Sequence, residues 1–352
     1  MALHMADVRR RGTKGEMHEF EQEMADLQVR WRGKNIDTTE EGFQNGVSRP
    51  WILPRARWED GLWPGLRSGE KWSFADYLKV HDISRHTGSH NLKSSWVSGV
   101  NLYFPFGQSI DGRKMLAAFL ASGVDKRVRS VESVELEYAE EGDLSPELLL
   151  GEQGGNRGSG QTSPDIALLV NGGKGLLLVE NKLTEHSFYA CSARSRSDSG
   201  RRRANPDIAR CDRCSALIAD ISLCHHQTCG RQYWQQLQDA VNPRLFSQLP
   251  RCPAATAGYQ LFRQQALAEG IAKAGRYEFV VSAVAIDARN ERLVSSMKSS
   301  GINDVRDWGA LFVGRSSFAV FTHQDWVAWV RTHDSRDDWR AWAQWVAARY
   351  KI

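Results

Sequence analysis

No stretch of this chain reaches the roughly 18 consecutive apolar residues that a membrane-spanning helix needs, so no membrane partner is expected. The opening residues, MALHMADVRRRG, carry no apolar core behind their charges, which argues against a secretion signal. A cytoplasmic location is the resulting expectation. No internal repeat is visible. Cysteine is scarce, with six in 352 residues, and in a chain read as cytoplasmic these do not suggest a disulfide framework. Charge of one sign is also lacking. A net charge of +4 is too small to identify a partner by itself.

What is present fits a soluble globular protein, with 41% hydrophobic and 25% charged residues. The length suits one large elaborated domain or two smaller ones. Residues 1–90 read as an N-terminal extension, polar and mostly loop. It holds one helix over Glu16–Trp31, where Phe20, Met24 and Leu27 share a face. Asn35 to Arg67 reads as loop. The main domain is expected over 91–352.

Within it, Val97–Phe106 is an apolar run containing Pro105. Asp111 precedes a short amphipathic helix that ends at Gly123. Val128, Val131, Val134, Leu136 and Tyr138 mark a strand, and residues 140–163 a Gly-rich loop. Ile166–Val170 and Leu176–Val179 are strands joined by the turn Asn171-Gly172-Gly173-Lys174. Gln232–Val241 and Gly258–Ala274 read as helices, and Tyr277–Ile286 as a fully buried strand. Near the end, Trp308, Trp326, Trp329, Trp339, Trp342 and Trp345 include runs at spacings of three, which places them on helical faces. Core packing is the expected role, with base stacking on exposed rings the alternative.

Five of the six cysteines fall in an insert over 189–230. Cys191, Cys211, Cys214, Cys224 and Cys229, with His225 and His226 near the last two, suggest metal ligation. Cys211 and Cys214 form a CxxC pair, which can offer two thiolates to one metal. Structural Zn²⁺ is the expectation, and an iron–sulfur cluster or unligated thiols are the alternatives. Cys252 lies apart and reads as a packed or free thiol. The insert is also basic. Arg194, Arg196, Arg201, Arg202 and Arg203 face only Asp198, which suits either phosphate contacts with nucleic acid or a solvated loop.

The chemistry concentrates in Ser163–Phe188. Pro164-Asp165 opens one strand of the hairpin and Glu180-Asn181-Lys182 closes the other, so Asp165 and Glu180 become neighbours at one end of a sheet. The side-chain period of two puts Glu180 and Lys182 on one face and turns Asn181 away. Two carboxylates bind Mg²⁺ or Mn²⁺ through oxygen, and the Asn181 carbonyl could add a ligand. Such an ion lowers the pKa of a bound water and stabilises charge on a phosphodiester, and a lysine beside it adds to that stabilisation. Ordinary charges at a strand end are the competing reading.

Ser163-Pro164-Asp165 with the run Glu180-Asn181-Lys182-Leu183-Thr184-Glu185 resembles the core of the PD-(D/E)XK nuclease superfamily, the restriction-endonuclease-like fold. The resemblance is specific over roughly 130–190 and looser to about 286. It implies an α/β fold, a mixed central sheet flanked by helices, here with a Cys-rich metal-binding insert. Asp165 and Glu180 would be metal ligands and Lys182 the catalytic lysine. Many members also use an upstream glutamate. Glu132, Glu135 and Glu137 lie near the first strand and Glu152 in the following loop, with Glu137 and Glu152 favoured. Gln232 and Tyr233 could match polar residues that some members carry on the next helix. The implied function is Mg²⁺-dependent hydrolysis of DNA, as an endonuclease in restriction or phage defence. A homodimer is an option, because restriction-type enzymes often cut as dimers. The alternatives are a catalytically silent nucleic-acid-binding relative, a nuclease directed at RNA or single strands, and an interaction protein held together by zinc.

Overall fold

Asn171, Gly172 and Gly173 all take positive φ, and so turn the chain sharply between two apolar strands. That hairpin is the centre of the computed structural model, which describes residues 17–67, 73–194, 204–335 and 337–352. Five strands form one sheet: β1 Val131–Leu136, β2 Ile166–Val170, β3 Gly175–Lys182, β4 Phe279–Ile286 and β5 Ser317–Thr322. They lie in that spatial order. β1, β2 and β3 pair antiparallel, with Ile166 opposite Val179, while β3, β4 and β5 pair parallel, with Lys182 beside Ile286. The sheet is therefore mixed, and the chain is α/β. No expected strand corresponds to β5, whose residues are mostly half-buried.

Alternation along the strands divides the interior in two. Leu177, Val179, Val281 and Ala283 pack into one apolar cluster. Leu176, Leu178, Val280 and Val284 pack into the other, as the period of two requires. On the first face lie α1 (Glu19–Asn35), α2 (Ser95–Gly107), α3 (Ile110–Gly123), α5 (His323–His333) and α6 (Arg340–Tyr350). On the second lies α4 (Tyr259–Ala274), whose residues Leu261 to Ile271 are almost wholly buried. The apolar run at 97–106 forms α2, with Pro105 in its last turn.

The tryptophans from Trp308 onward pack into the core. Trp308, Trp326 and Trp342 are fully buried, and Trp329, Trp339 and Trp345 are partly buried against the first cluster. Trp326 Nε1 donates to the Leu102 carbonyl at 2.8 Å, and Trp342 Nε1 to that of Asn101 at 2.9 Å.

The segment before residue 91 belongs to the same interior. Met24, Leu27, Trp58, Leu66, Phe74 and Leu78 join the first cluster. Gln28 Nε2 reaches the Arg349 carbonyl at 2.8 Å, and Trp31 meets Trp345 edge to face at 5.7 Å. Residues 35–67, expected as loop, form a two-stranded ribbon (Gly42–Gln44 and Val47–Arg49) and two 3₁₀ turns. The buried Arg32 guanidinium organises this part. It donates to the carbonyls of Pro50 (2.7 Å), Ile52 (3.3 Å), Thr38 (3.3 Å) and Glu40. The 140–163 loop likewise holds a short helix, Pro146–Leu150. Among the described residues, no helix is long and apolar enough to cross a membrane.

Candidate active site

Asp165 enters β2, and Glu180 and Lys182 close β3. The register puts all three on the α4 side of the sheet, beyond the last apolar pair. Asp165 Oδ2 accepts from the Asn181 main-chain N–H at 2.7 Å. Lys182 Nζ donates to Glu180 Oε1 at 2.7 Å, with 4% and 9% of the two side chains exposed. Asn181 points through the opposite face, where its Nδ2 donates to the Ser95 carbonyl (2.7 Å) and to Ser98 Oγ (2.9 Å) on α2. The end of β3 is fixed further by Asn290, whose Nδ2 donates to the carbonyls of Leu183 and Glu185.

Glu137 joins this group. It follows β1 in a left-handed conformation, φ +46°, which ends the strand and turns its side chain inward. Its N–H donates to the Asp165 carbonyl at 3.1 Å, and its own carbonyl accepts from Arg157 Nε. Burial, reinforced by the charge of Glu180, pushes the Glu137 carboxyl up to about 8. Asp165 is pushed well above the usual carboxylate range by burial and then by Glu180; Lys182 opposes this. Burial alone would lower Lys182, but Glu180, Glu185 and Asp165 outweigh it and raise the ammonium, so it stays charged. Several carboxyl groups thus share one lysine, an excess of negative charge in a place that penalises charge.

A cavity of about 530 Å³ opens over Asp165, Glu180, Lys182 and Glu185. Its far wall comes from the N-terminal part: Phe43 and Asn45 at the ribbon tip, Arg55, His86, His90 and Lys93. These residues were not singled out from sequence. No periodic or motif signal marks them, because they reach the cavity through long-range packing.

The other expected residues lie elsewhere. Glu152 is buried in a separate network with Thr162, Tyr233 and Arg263. Tyr233 belongs to that network, and Gln232 bonds the Leu150 carbonyl through its N–H. Glu132 is exposed, and Glu135 lies 3.8 Å from Arg157. Arg194 is part-buried and donates to the Ala255 carbonyl at 3.0 Å. Arg196, Arg201, Arg202 and Arg203 lie outside the described residues.

Cys191, Cys211, Cys224 and His226 line a small apolar cavity of about 20 Å³, with Cys191 Sγ 3.1 Å from His226 Nε2. Cys252, remote in sequence, lines it too, and its N–H donates to the Cys211 carbonyl. Burial raises the thiols of Cys191 and Cys214 to about 12. Cys229 lines a different, polar cavity. Among the described residues, no three His, Cys, Asp or Glu side chains are grouped so as to hold a metal ion, so the metal-binding character expected of this insert is not a feature of the described arrangement.

No curated protein and no solved structure matches the chain. A family model, by contrast, matches residues 24–351, so nearly the whole sequence, including the part before residue 91, falls within one family. The mixed sheet with its acidic edge thus stands in a chain that belongs to the family described as restriction endonuclease associating with ARP.

Proposed function

We propose that this chain is a metal-dependent endonuclease that hydrolyses phosphodiester bonds in DNA, with a role in restriction or phage defence and a cytoplasmic location. The observation that carries the reading is the placement of Asp165, Glu180 and Lys182 on one face at the end of the β2–β3 hairpin, beneath an open cavity. Asp165 and Glu180 offer hard oxygen ligands for Mg²⁺ or Mn²⁺, and Glu137 is a third carboxyl beside them. Such an ion, when bound, supplies Lewis-acid stabilisation and a water of lowered pKa. Lys182 holds a positive charge where the attacked phosphate gathers negative charge, and keeps Glu180 oriented through their hydrogen bond. The Asn181 N–H fixes the Asp165 carboxylate. The partner named ARP in the family's description belongs to the same reading.

A structural zinc, or an iron–sulfur cluster, in the cysteine-rich segment is a separate part of the proposal. It rests on the gathering of Cys191, Cys211, Cys224 and Cys252 with His226 around one small cavity. Metal analysis of the purified protein and of Cys211→Ser tests it, and equal metal content in both would remove Cys211 from the ligand set.

The decisive experiment incubates plasmid, linear duplex, single-stranded DNA and RNA with Mg²⁺ or Mn²⁺. Wild type is compared with Asp165→Asn and Lys182→Ala. Duplex cleavage lost in both variants is expected, and cleavage that survives both would sink the assignment. Binding without cleavage by the wild type would favour a silent nucleic-acid-binding relative.

A further inference from the structure

A second cavity, of about 480 Å³, lies beside the catalytic one. The two share a wall. Tyr189 and Gln260 face the catalytic cavity, while their near neighbours Ser192 and Tyr259 face the second. Hydrogen bonds from the Tyr259 N–H to the Tyr189 carbonyl (3.0 Å) and from the Gln260 N–H to the Phe188 carbonyl (2.9 Å) tie that wall together.

The chemistry of the second cavity is cationic and aromatic. Its one carboxylate, Glu152, is 1% exposed and fully engaged. It accepts from Thr162 Oγ1 (2.9 Å), Tyr233 Oη (2.7 Å), Arg263 Nε (3.2 Å) and the Thr162 N–H. Three of these bonds converge on Oε1 and one ends on Oε2, so Glu152 acts as a brace. Arg263 uses only Nε in this network, donating also to Thr162 Oγ1 at 3.0 Å. Its Nη1 and Nη2 have no hydrogen-bond partner among the described residues. Arg231 spends Nη1 on the Gly151 carbonyl, and its Nε and Nη2 are likewise free among them. Gly151 makes this approach possible: at φ +66° its backbone lies against the Gly230 carbonyl, where a Cβ could not fit. Two guanidinium groups thus line a cavity whose one carboxylate is already braced. The aromatic surface is Tyr259, with the Arg263 guanidinium 5.5 Å from its ring centre and His226 stacked on it at 5.3 Å and 7°.

We propose that this cavity is a second ligand site, separate from the catalytic one, that binds a nucleotide phosphate. The forked N–H groups of Arg231 and Arg263 match the paired oxygens of a phosphate. The phosphate has two sources with the same chemistry: a free nucleotide, or a backbone unit of the nucleic acid lying across both cavities. The inference stands apart from the nuclease reading, because it concerns binding without cleavage.

Equilibrium dialysis tests it in buffer without added divalent cation. The probes are dAMP, inorganic phosphate and a short single-stranded oligodeoxynucleotide. The proteins are wild type, Arg231→Gln, Arg263→Gln and Asp165→Asn, each checked for folding by circular dichroism. Arg263→Gln removes the ion pair of a buried glutamate and risks misfolding, so Arg231→Gln serves as the independent variant. Saturable binding is expected that weakens at least tenfold in the folded arginine variants and is unchanged in Asp165→Asn. Binding of dAMP with competition by inorganic phosphate identifies a free nucleotide, and binding of the oligonucleotide alone identifies a backbone unit. Absence of binding by wild type overturns the proposal. So does binding that survives Arg231→Gln but is lost in Asp165→Asn, which would place the anion in the catalytic cavity.

Discussion

The His323 ring bonds the main-chain carbonyl of Lys182 through Nε2 at 3.0 Å, while its Nδ1 lies 2.8 Å from the Tyr103 hydroxyl. A carbonyl only accepts, so Nε2 carries the proton and Nδ1 accepts from Tyr103. Burial lowers the pKa of the ring and keeps it neutral, with the nearby Asp287 opposing. A residue from the start of α5 thus holds the residue that ends β3.

Replacing His323 by Ala leaves the Lys182 carbonyl and the Tyr103 hydroxyl unpaired in the core. An unfolding free energy lower by about 1–3 kcal/mol is expected. His323 touches no substrate in this reading, so it is a positioning residue. Its loss should lower kcat for DNA cleavage more than it raises KM, and His323→Gln, which can still donate, should restore part of kcat. Equal effects on both variants would leave His323 with a purely structural role.

Asp165→Asn should separate stability from activity. The carboxylate is disfavoured in the fold by burial and by Glu180. A neutral amide of the same shape removes that penalty, so the melting temperature without divalent cation should stay level or rise. Cleavage should fall by a factor of about 100 or more, the range for losing a group that stabilises developing charge. A large drop in melting temperature would show that the acid is needed for folding instead.

Stability without divalent cation should depend on pH through Glu137. The folded protein keeps that proton until about pH 8, against an ordinary value of 4.5. Between these values the native state binds more protons than the unfolded chain, so stability present below pH 4.5 is lost as pH rises toward 8. Asp165 contributes with the same sign. Glu137→Gln should therefore flatten the fall in melting temperature between pH 5 and 8 without abolishing it. Unchanged slopes would mean that the Glu137 carboxyl is already ionised in the fold.

Arg32→Ala should loosen the ribbon that walls the catalytic cavity. Four carbonyls lose one buried donor group, at about 1–3 kcal/mol for each that finds no other partner. Faster hydrogen exchange over residues 38–52 is expected, with weaker DNA binding because Phe43 and Asn45 belong to that wall. Exchange confined to its original rate would show that the ribbon holds itself.

The legible parts of this chain were the local ones. Asn171-Gly172 and the flanking apolar strands identify a hairpin, and the period of two then places Glu180, Asn181 and Lys182 on their faces. The choice between Glu137 and Glu152 was not local. Both are acidic residues preceding Asp165, and only tertiary packing sends one to Asp165 and the other to Arg263. Residues 35–67 lack periodicity because their buried apolar residues, such as Trp58 and Leu66, are irregularly spaced and part of the segment is bonded to the Arg32 side chain. β5 carries a short, half-buried sequence with weak alternation, and its pairing partner lies in β4. Cys252 joins the other thiols only because the chain returns to them shortly before α4, which no spacing of cysteines announces.

The turn that makes the hairpin links residues close in sequence, but its far end, at Asn181 and Lys182, is held by Ser98 on one side and His323 on the other. Local hairpins form within about 1–10 μs, whereas contacts between distant parts of a chain wait for the closure of long loops. The three charged side chains are thus brought together early, while the supports that set their angles are expected to arrive late, when residue 323 has been synthesised and packed. Competence to cut would then be a property of the finished molecule, withheld from a chain still emerging from the ribosome.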